Sequence, residues 1–168
     1  DILEINKIES SKSQIENISF NLKLLLENIQ NSLKELANIN NNDFIFNIDS
    51  NIPNYIIGDP TKLSQVLMNL INNALKFTHN GEVIVTASLL RLVDKNATIS
   101  FEIKDNGIGF NVKDVLNSTN SFGLFSIINR AKFLNGKVTI NSDNEGTTIK
   151  MSIKKIKILL FIKVYLIA

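Results

Sequence analysis

The stretch "GDPTKLSQVLMNLINNALKFTHNG", residues 58–81, limits the possible folds more than any other part of the chain. Asp59 is a natural N-cap, and Pro60 suits a first helical position, where its missing N–H is not needed. "HNG" then stops the pattern. Between these signals Leu63, Val66, Leu67, Leu70, Ala74 and Leu75 recur at three- and four-residue intervals, which predicts a helix to about Thr78 with one apolar stripe. A stripe of that kind has to be buried against another layer. The other faces are unusual, because Asn69, Asn72 and Asn73 persist in an apolar helix although asparagine is a mediocre helix former. Asn69, Asn73 and Lys76 share the helical spacing, so their side chains form one row. Such a row is either a wet surface or a shelf for a metal-bound polyphosphate. Amide oxygens are hard ligands for Mg²⁺, and lysine brings positive charge to phosphate.

The layer that covers the stripe is read from the rest of the chain. Ile2, Ile5 and Ile8 open the sequence as the end of a helix, and a short extended piece follows around residues 15–20. Leu22, Leu25, Leu26, Ile29, Leu33 and Leu36 mark a second amphipathic helix to about Ala37. "NINNND" breaks it, and "FIFNI" alternates as a strand with Phe44, Phe46 and Ile48 on one side. Strands at about 82–92 and 98–105 form an antiparallel pair. A loop from Asn106 to Phe122 leads to a helix at about 123–135, and strands near 137–142 and 147–154 close the chain around "DNEG". The expected fold is α/β (α+β), a two-layer sandwich of a mixed, mostly antiparallel sheet packed on about three helices. The order of elements lacks the βαβαβ alternation of a doubly wound nucleotide fold.

Composition removes several function classes. Eighteen basic and sixteen acidic residues leave a net charge of +2, too balanced to advertise nucleic acid or an anionic membrane as partner. Without cysteine there are no disulfides and no thiolate metal sites, and one histidine makes zinc improbable as a cofactor. The apolar run "IKILLFIKVYLIA" is interrupted by Lys163 and is too short for a membrane span of about twenty residues.

A second motif decides between surface and shelf. "EIKDNGIGF" reads as a strand ending at Asp105, followed by two glycines that permit tight turning and close approach to a ligand. Together, "LSQVLMNLINNALKFT" and "DNGIGF" resemble the ATP-binding catalytic domain of sensor histidine kinases, in the superfamily shared with gyrase, Hsp90 and MutL-type ATPases. "DILEINKIESSK" is similar to the end of the dimerisation helices of such kinases, "NIPNYIIGDPTKLSQVL" to their approach to the asparagine box, and "FGLFSIINRAKFLNGKVTINSDNEGTTIKMSI" to their second glycine box and closing strands. The likeness spans about residues 1–154. It implies the Bergerat ATP-binding fold, with residues 1–13 as the end of the dimerisation helix, 14–154 as the catalytic domain and 155–168 as an apolar tail without assigned role.

The resemblance also implies roles. Asn73 would coordinate Mg²⁺, Asn69 would support the metal and its water shell, and Lys76 would contact phosphate. Phe77 would pack near the adenine, whose amino group would donate to Asp105. Gly107, Ile108 and Gly109 would pass close to the nucleotide. Gly123 and Leu124 would open a helix whose N-terminal amides face phosphate, and Thr147 would complete the base pocket. Asn69 stands where the ATP-hydrolysing relatives carry a water-activating acid. An amide has no useful basicity, and general-base catalysis is typically worth about 10² to 10⁴ in rate, which favours a kinase over a mechanical ATPase. Asn72 is left as surface or as a support one layer behind the site residues.

The chain departs from the family pattern in its second glycine box, where Ser121 and Phe125 replace common glycines, and in the short lid from Asn111 to Phe122. His79, in the turn after the asparagine helix, is a poor phosphoacceptor, so the accepting histidine is expected outside this chain. The implied partners are the histidine-bearing dimerisation hairpin of a homodimeric parent and the receiver domain of a response regulator, in the cytoplasm. Two rivals share the pocket: a degenerate nucleotide-binding or scaffolding module without transfer, and a serine kinase of the anti-sigma-factor type.

Overall fold

The computed structural model describes residues 16–117 and 122–158. Seven strands and four helices lie within them: β1 Ile18–Asn21, α1 Leu22–Ile39, β2 Asp43–Ile48, β3 Tyr55–Gly58, α2 Pro60–Phe77, β4 Glu82–Val93, β5 Asn96–Asp105, α3 Val112–Asn117, α4 Phe122–Phe133, β6 Gly136–Asp143 and β7 Gly146–Ile158. The strands form one sheet in the order β1-β3-β7-β5-β4-β2, with β6 also paired to β7. Every pairing is antiparallel except β2 with β4. This is the mixed, mostly antiparallel sandwich expected from the sequence.

Period-two alternation sets which side chains face the helices. Ala97, Ile99, Phe101 and Ile103 on β5 are buried, as are Val83, Val85 and Ala87 on β4. They meet Leu26, Ile29 and Leu33 of α1 and the stripe of α2, where all six expected residues are buried together with Ile71. Asp59 caps α2, accepting from the Lys62 amide at 2.8 Å, and also accepts from the Glu16 amide and the Lys62 ammonium. At the other end Asn42, buried among the asparagines that break α1, donates to the carbonyls of Leu75 and Thr78 and accepts from the Gly81 amide. One side chain thereby ties the last turn of α2 to the start of β4.

Four features differ from expectation. β3 is a strand of four residues, too short for alternation to reveal. The segment expected as a loop holds the short helix α3. α4 spans Phe122–Phe133, ending before the expected 135. β7 does not stop at 154 but runs to Ile158. Its register slips against β5 between the Ile153 and Ile156 pairings, and Lys155 takes a left-handed φ of 59°. Beyond this bulge β7 pairs with β3, whereas before it the same edge pairs with β6. Residues 155–158 are therefore part of the sheet. The expected dimerisation helix end at 1–13, Ser121 and the tail beyond 158 lie outside the described residues. No helix among the described residues is long and apolar enough to cross a membrane.

Candidate functional site

The inward rows of β5 and β7 each finish in a polar residue. On β5 the row Ala97, Ile99, Phe101, Ile103 continues to Asp105, and on β7 the row Ile153, Met151, Ile149 continues to Thr147. Asp105 and Thr147 are direct partners in the ladder and are only 9% and 8% exposed. Above them pass Leu70, Asn73, Ala74 and Phe77 of α2, spaced three, one and three residues apart on one helical face. The loop carrying Ile108 and Gly109 closes one side, and Leu124 of α4 closes another. The cavity between them is about 470 Å³, within the range of about 300–1,000 Å³ typical of small-molecule sites.

Of the expected site residues, Asn73, Phe77, Asp105, Ile108, Gly109, Leu124 and Thr147 line this cavity. Asn69, Lys76 and Gly107 do not, and the surroundings of Gly123 lie outside the described residues. Helical geometry explains the first two. At 100° per residue, Asn69 and Lys76 lie roughly 40° and 60° beyond Asn73, away from the face centred on Leu70 and Phe77. Asn73 is thus the rim residue, and Lys76 is exposed with its ammonium 5.2 Å from the Phe77 ring centroid. Gly123 lies in the first turn of α4. Asn72 and His79 are exposed, as expected.

Gly107 acts through packing. A Cβ there would run into the Phe77 carbonyl and the Thr78 hydroxyl, so glycine lets the loop press against the end of α2. Its amide donates to Asp105 Oδ1 at 3.0 Å. Gly109 has a φ of +60°, and a Cβ there would overlap the Asp143 carbonyl. Burial pushes the Asp105 carboxyl above its ordinary value, opposed by the amides of Gly107 and Thr147. The site therefore offers a desolvated acceptor at its floor, apolar walls, and an amide at its rim. Sequence reasoning missed Phe110, Val115 and Ile127 in the walls, which carry no polar signal, and it missed Ser142.

The donor set bears on magnesium. Among the described residues no group of three or more His, Cys, Asp or Glu could hold a metal ion. A magnesium ion here would thus be shared between the Asn73 amide and a ligand's own oxygens, the usual manner for an ion that retains water and phosphate ligands. The residues fit a nucleotide-borne ion and do not fit an all-protein cage.

Residues 58–157 match the family model described as histidine kinase-, DNA gyrase B- and HSP90-like ATPase. The signal transduction histidine-protein kinase BarA of Escherichia coli (strain K12) is 33% identical over 114 residues, which are 68% of this chain and 12% of that protein. The chain thus spans about an eighth of that relative's length. Full-length ShkA in complex with AMPPNP superposes with a TM-score of 0.77 at 21% identity, covering 94% of this chain and 35% of that one. Histidine kinase ThkA in complex with response regulator protein TrrA gives 0.68 at 23% identity, covering 92% and 46%. At these identities the two structures speak for the fold.

Proposed function

The chain belongs to the histidine kinase-, DNA gyrase B- and HSP90-like ATPase family, and we propose that it is the ATP-binding catalytic domain of a sensor histidine kinase, which holds Mg-ATP in the cavity between α2, β5 and β7 and presents the γ-phosphoryl group to a histidine outside this chain. The observation that carries the reading is the convergence of Asn73, Asp105 and Thr147 on one cavity. Asp105 accepts the amino group of the adenine, Thr147 adjoins it, and Ile108, Phe77 and the apolar walls enclose the ring. Asn73 at the rim gives its amide oxygen to the magnesium ion, which when bound supplies charge neutralisation along the triphosphate. Asn69 and Lys76, one flank further round, then border the path of the outer phosphates, where Lys76 adds positive charge. Gly123 and Leu124 put the amides of the first α4 turn near the same path.

Catalysis on this reading is positioning and charge neutralisation. The chain offers no acid in the place of Asn69 to activate water, so the γ-phosphoryl group waits for the external histidine. In the proposal residues 1–13 lead in from the dimerisation helices of a homodimeric parent working in the cytoplasm. A response regulator then takes the phosphoryl group onward; the relative ThkA, solved with TrrA, supports a partner of that kind.

Mixing the domain with a separate histidine-bearing hairpin from a sensor kinase and γ-labelled ATP tests the reading. An acid-labile phosphohistidine on the hairpin is expected. ATP binding without transfer would favour a scaffolding module, and an acid-stable product would favour a serine kinase.

A further inference from the structure

Ser142, on β6, is the cross-strand partner of Thr147, which is in turn the partner of Asp105. A row of three polar residues therefore crosses three strands at one level. Ser142 Oγ accepts from the Phe110 amide at 2.8 Å, lies 2.9 Å from Thr147 Oγ1, and donates to the Gly146 carbonyl at 3.2 Å. A hydroxyl has one proton and two acceptor sites. The Gly146 carbonyl can only accept, so it takes the Ser142 proton, and the Phe110 amide fills one acceptor site. The other is filled by the Thr147 proton. Thr147 Oγ1 then has lone pairs but no proton left to offer, and it stands as an acceptor beside the acceptor carboxylate of Asp105. The same hydroxyl anchors the end of the glycine loop, because Phe110 directly follows Gly109.

We propose that Ser142 is a positioning residue for base recognition: by holding Thr147 as an acceptor beside Asp105 and fastening the loop at Phe110, it makes the cavity select a purine edge that bears an amino group. The inference rests on the nucleotide reading above and adds a specificity device to it. Ser142 touches no base; it acts through Thr147.

The test compares the affinities of ATP and purine riboside triphosphate, which lacks the 6-amino group, by competition against a fluorescent nucleotide. Wild type is expected to prefer ATP. Ser142→Ala should shrink that preference by about two- to tenfold, the range carried by one neutral hydrogen bond, and Ser142→Thr should restore it. Ser142→Cys, near in size but a weak hydrogen bonder, should behave as the alanine variant does. In a Thr147→Val background, Ser142→Ala should change the preference no further. Equal losses for both nucleotides, or an unchanged preference in Ser142→Ala and Ser142→Cys, would overturn the inference while leaving ATP binding in place. Failure of the wild type to bind either nucleotide would overturn the nucleotide reading along with it.

Discussion

Asp105 and Thr147 face each other across the β5–β7 ladder, each the polar end of an otherwise apolar inward row, and both line the cavity. A carboxylate in that position is costly unless a ligand donates to it. Burial accordingly raises the Asp105 pKa above 3.8, against the pull of the Gly107 and Thr147 amides.

The sign of the pH effect follows. An adenine amino group favours the carboxylate, and the free protein takes up its proton at a higher pH than an ordinary carboxylate. ATP affinity should therefore begin to fall, on acidification, while ordinary carboxylates are still ionised. Asp105→Asn should lose about 1.5–3 kcal/mol at neutral pH, or roughly tenfold to 150-fold, and with it this pH dependence. The stability of the ligand-free fold should run in the opposite sense. A raised pKa contributes stability that is full below the unfolded value of 3.8 and is lost as pH rises through the folded value. Asp105→Asn should thus melt no lower than wild type at pH 7. Unchanged ATP affinity by calorimetry in the folded variant would end the adenine assignment.

Asn73→Ala addresses the rim. Its amide is the one polar side chain of α2 that lines the cavity, so its removal should weaken ATP binding in the presence of Mg²⁺ by about tenfold and leave binding in excess chelator nearly unchanged. Lys76→Ala, which lies outside the lining, should affect ATP more than AMP. Equal losses with and without Mg²⁺ for Asn73→Ala would contradict the metal role.

The site was legible in the sequence where polar residues interrupt a strong period. Asn73 stood out against a leucine stripe, and Asp105 at the end of an alternating strand, because each breaks a rule that packing otherwise enforces. The row of Asn69, Asn73 and Lys76 was right as a spacing, but only Asn73 of it lines the cavity, since a cavity spans less of the helix than a row of three- and four-residue steps. Ser142 gave no signal, because a serine near a turn is ordinary. Its meaning comes from cross-strand register, which one sequence does not display. The extension of β7 to Ile158 was hidden by the bulge at Lys155, where alternation fails.

Asn42 was hidden among turn asparagines, yet it is buried and holds the end of the site helix. Asn42→Ala would leave the Thr78 carbonyl and the Gly81 amide without this partner, while Asn40 still serves the Leu75 carbonyl. A loss of about 1–3 kcal/mol in urea denaturation is expected. Asn42→Asp should be at least as harmful at neutral pH, because a carboxylate would face the carbonyl oxygens of Leu75 and Thr78. A variant with aspartate that matched wild type would show that these bonds do not hold α2 in place.

Gly109→Ala separates the glycine loop from the general tolerance of the fold. Gly109 is left-handed at φ +60°, and its missing Cβ is replaced in space by the Asp143 carbonyl, a backbone atom that cannot rotate away. Alanine should therefore cost about 1–2 kcal/mol from the backbone conformation alone, and should push the loop off the β6–β7 turn, breaking the Phe110 anchor. ATP affinity should fall at least tenfold. Gly58→Ala is the control, since a Cβ there meets only the Phe20 ring at 3.7 Å, an ordinary contact. That variant should stay within about 0.5 kcal/mol of wild type and keep its nucleotide affinity. If both alanines proved equally benign, the loop could adjust without the turn, and the tight fit at Gly109 would have no part in shaping the pocket.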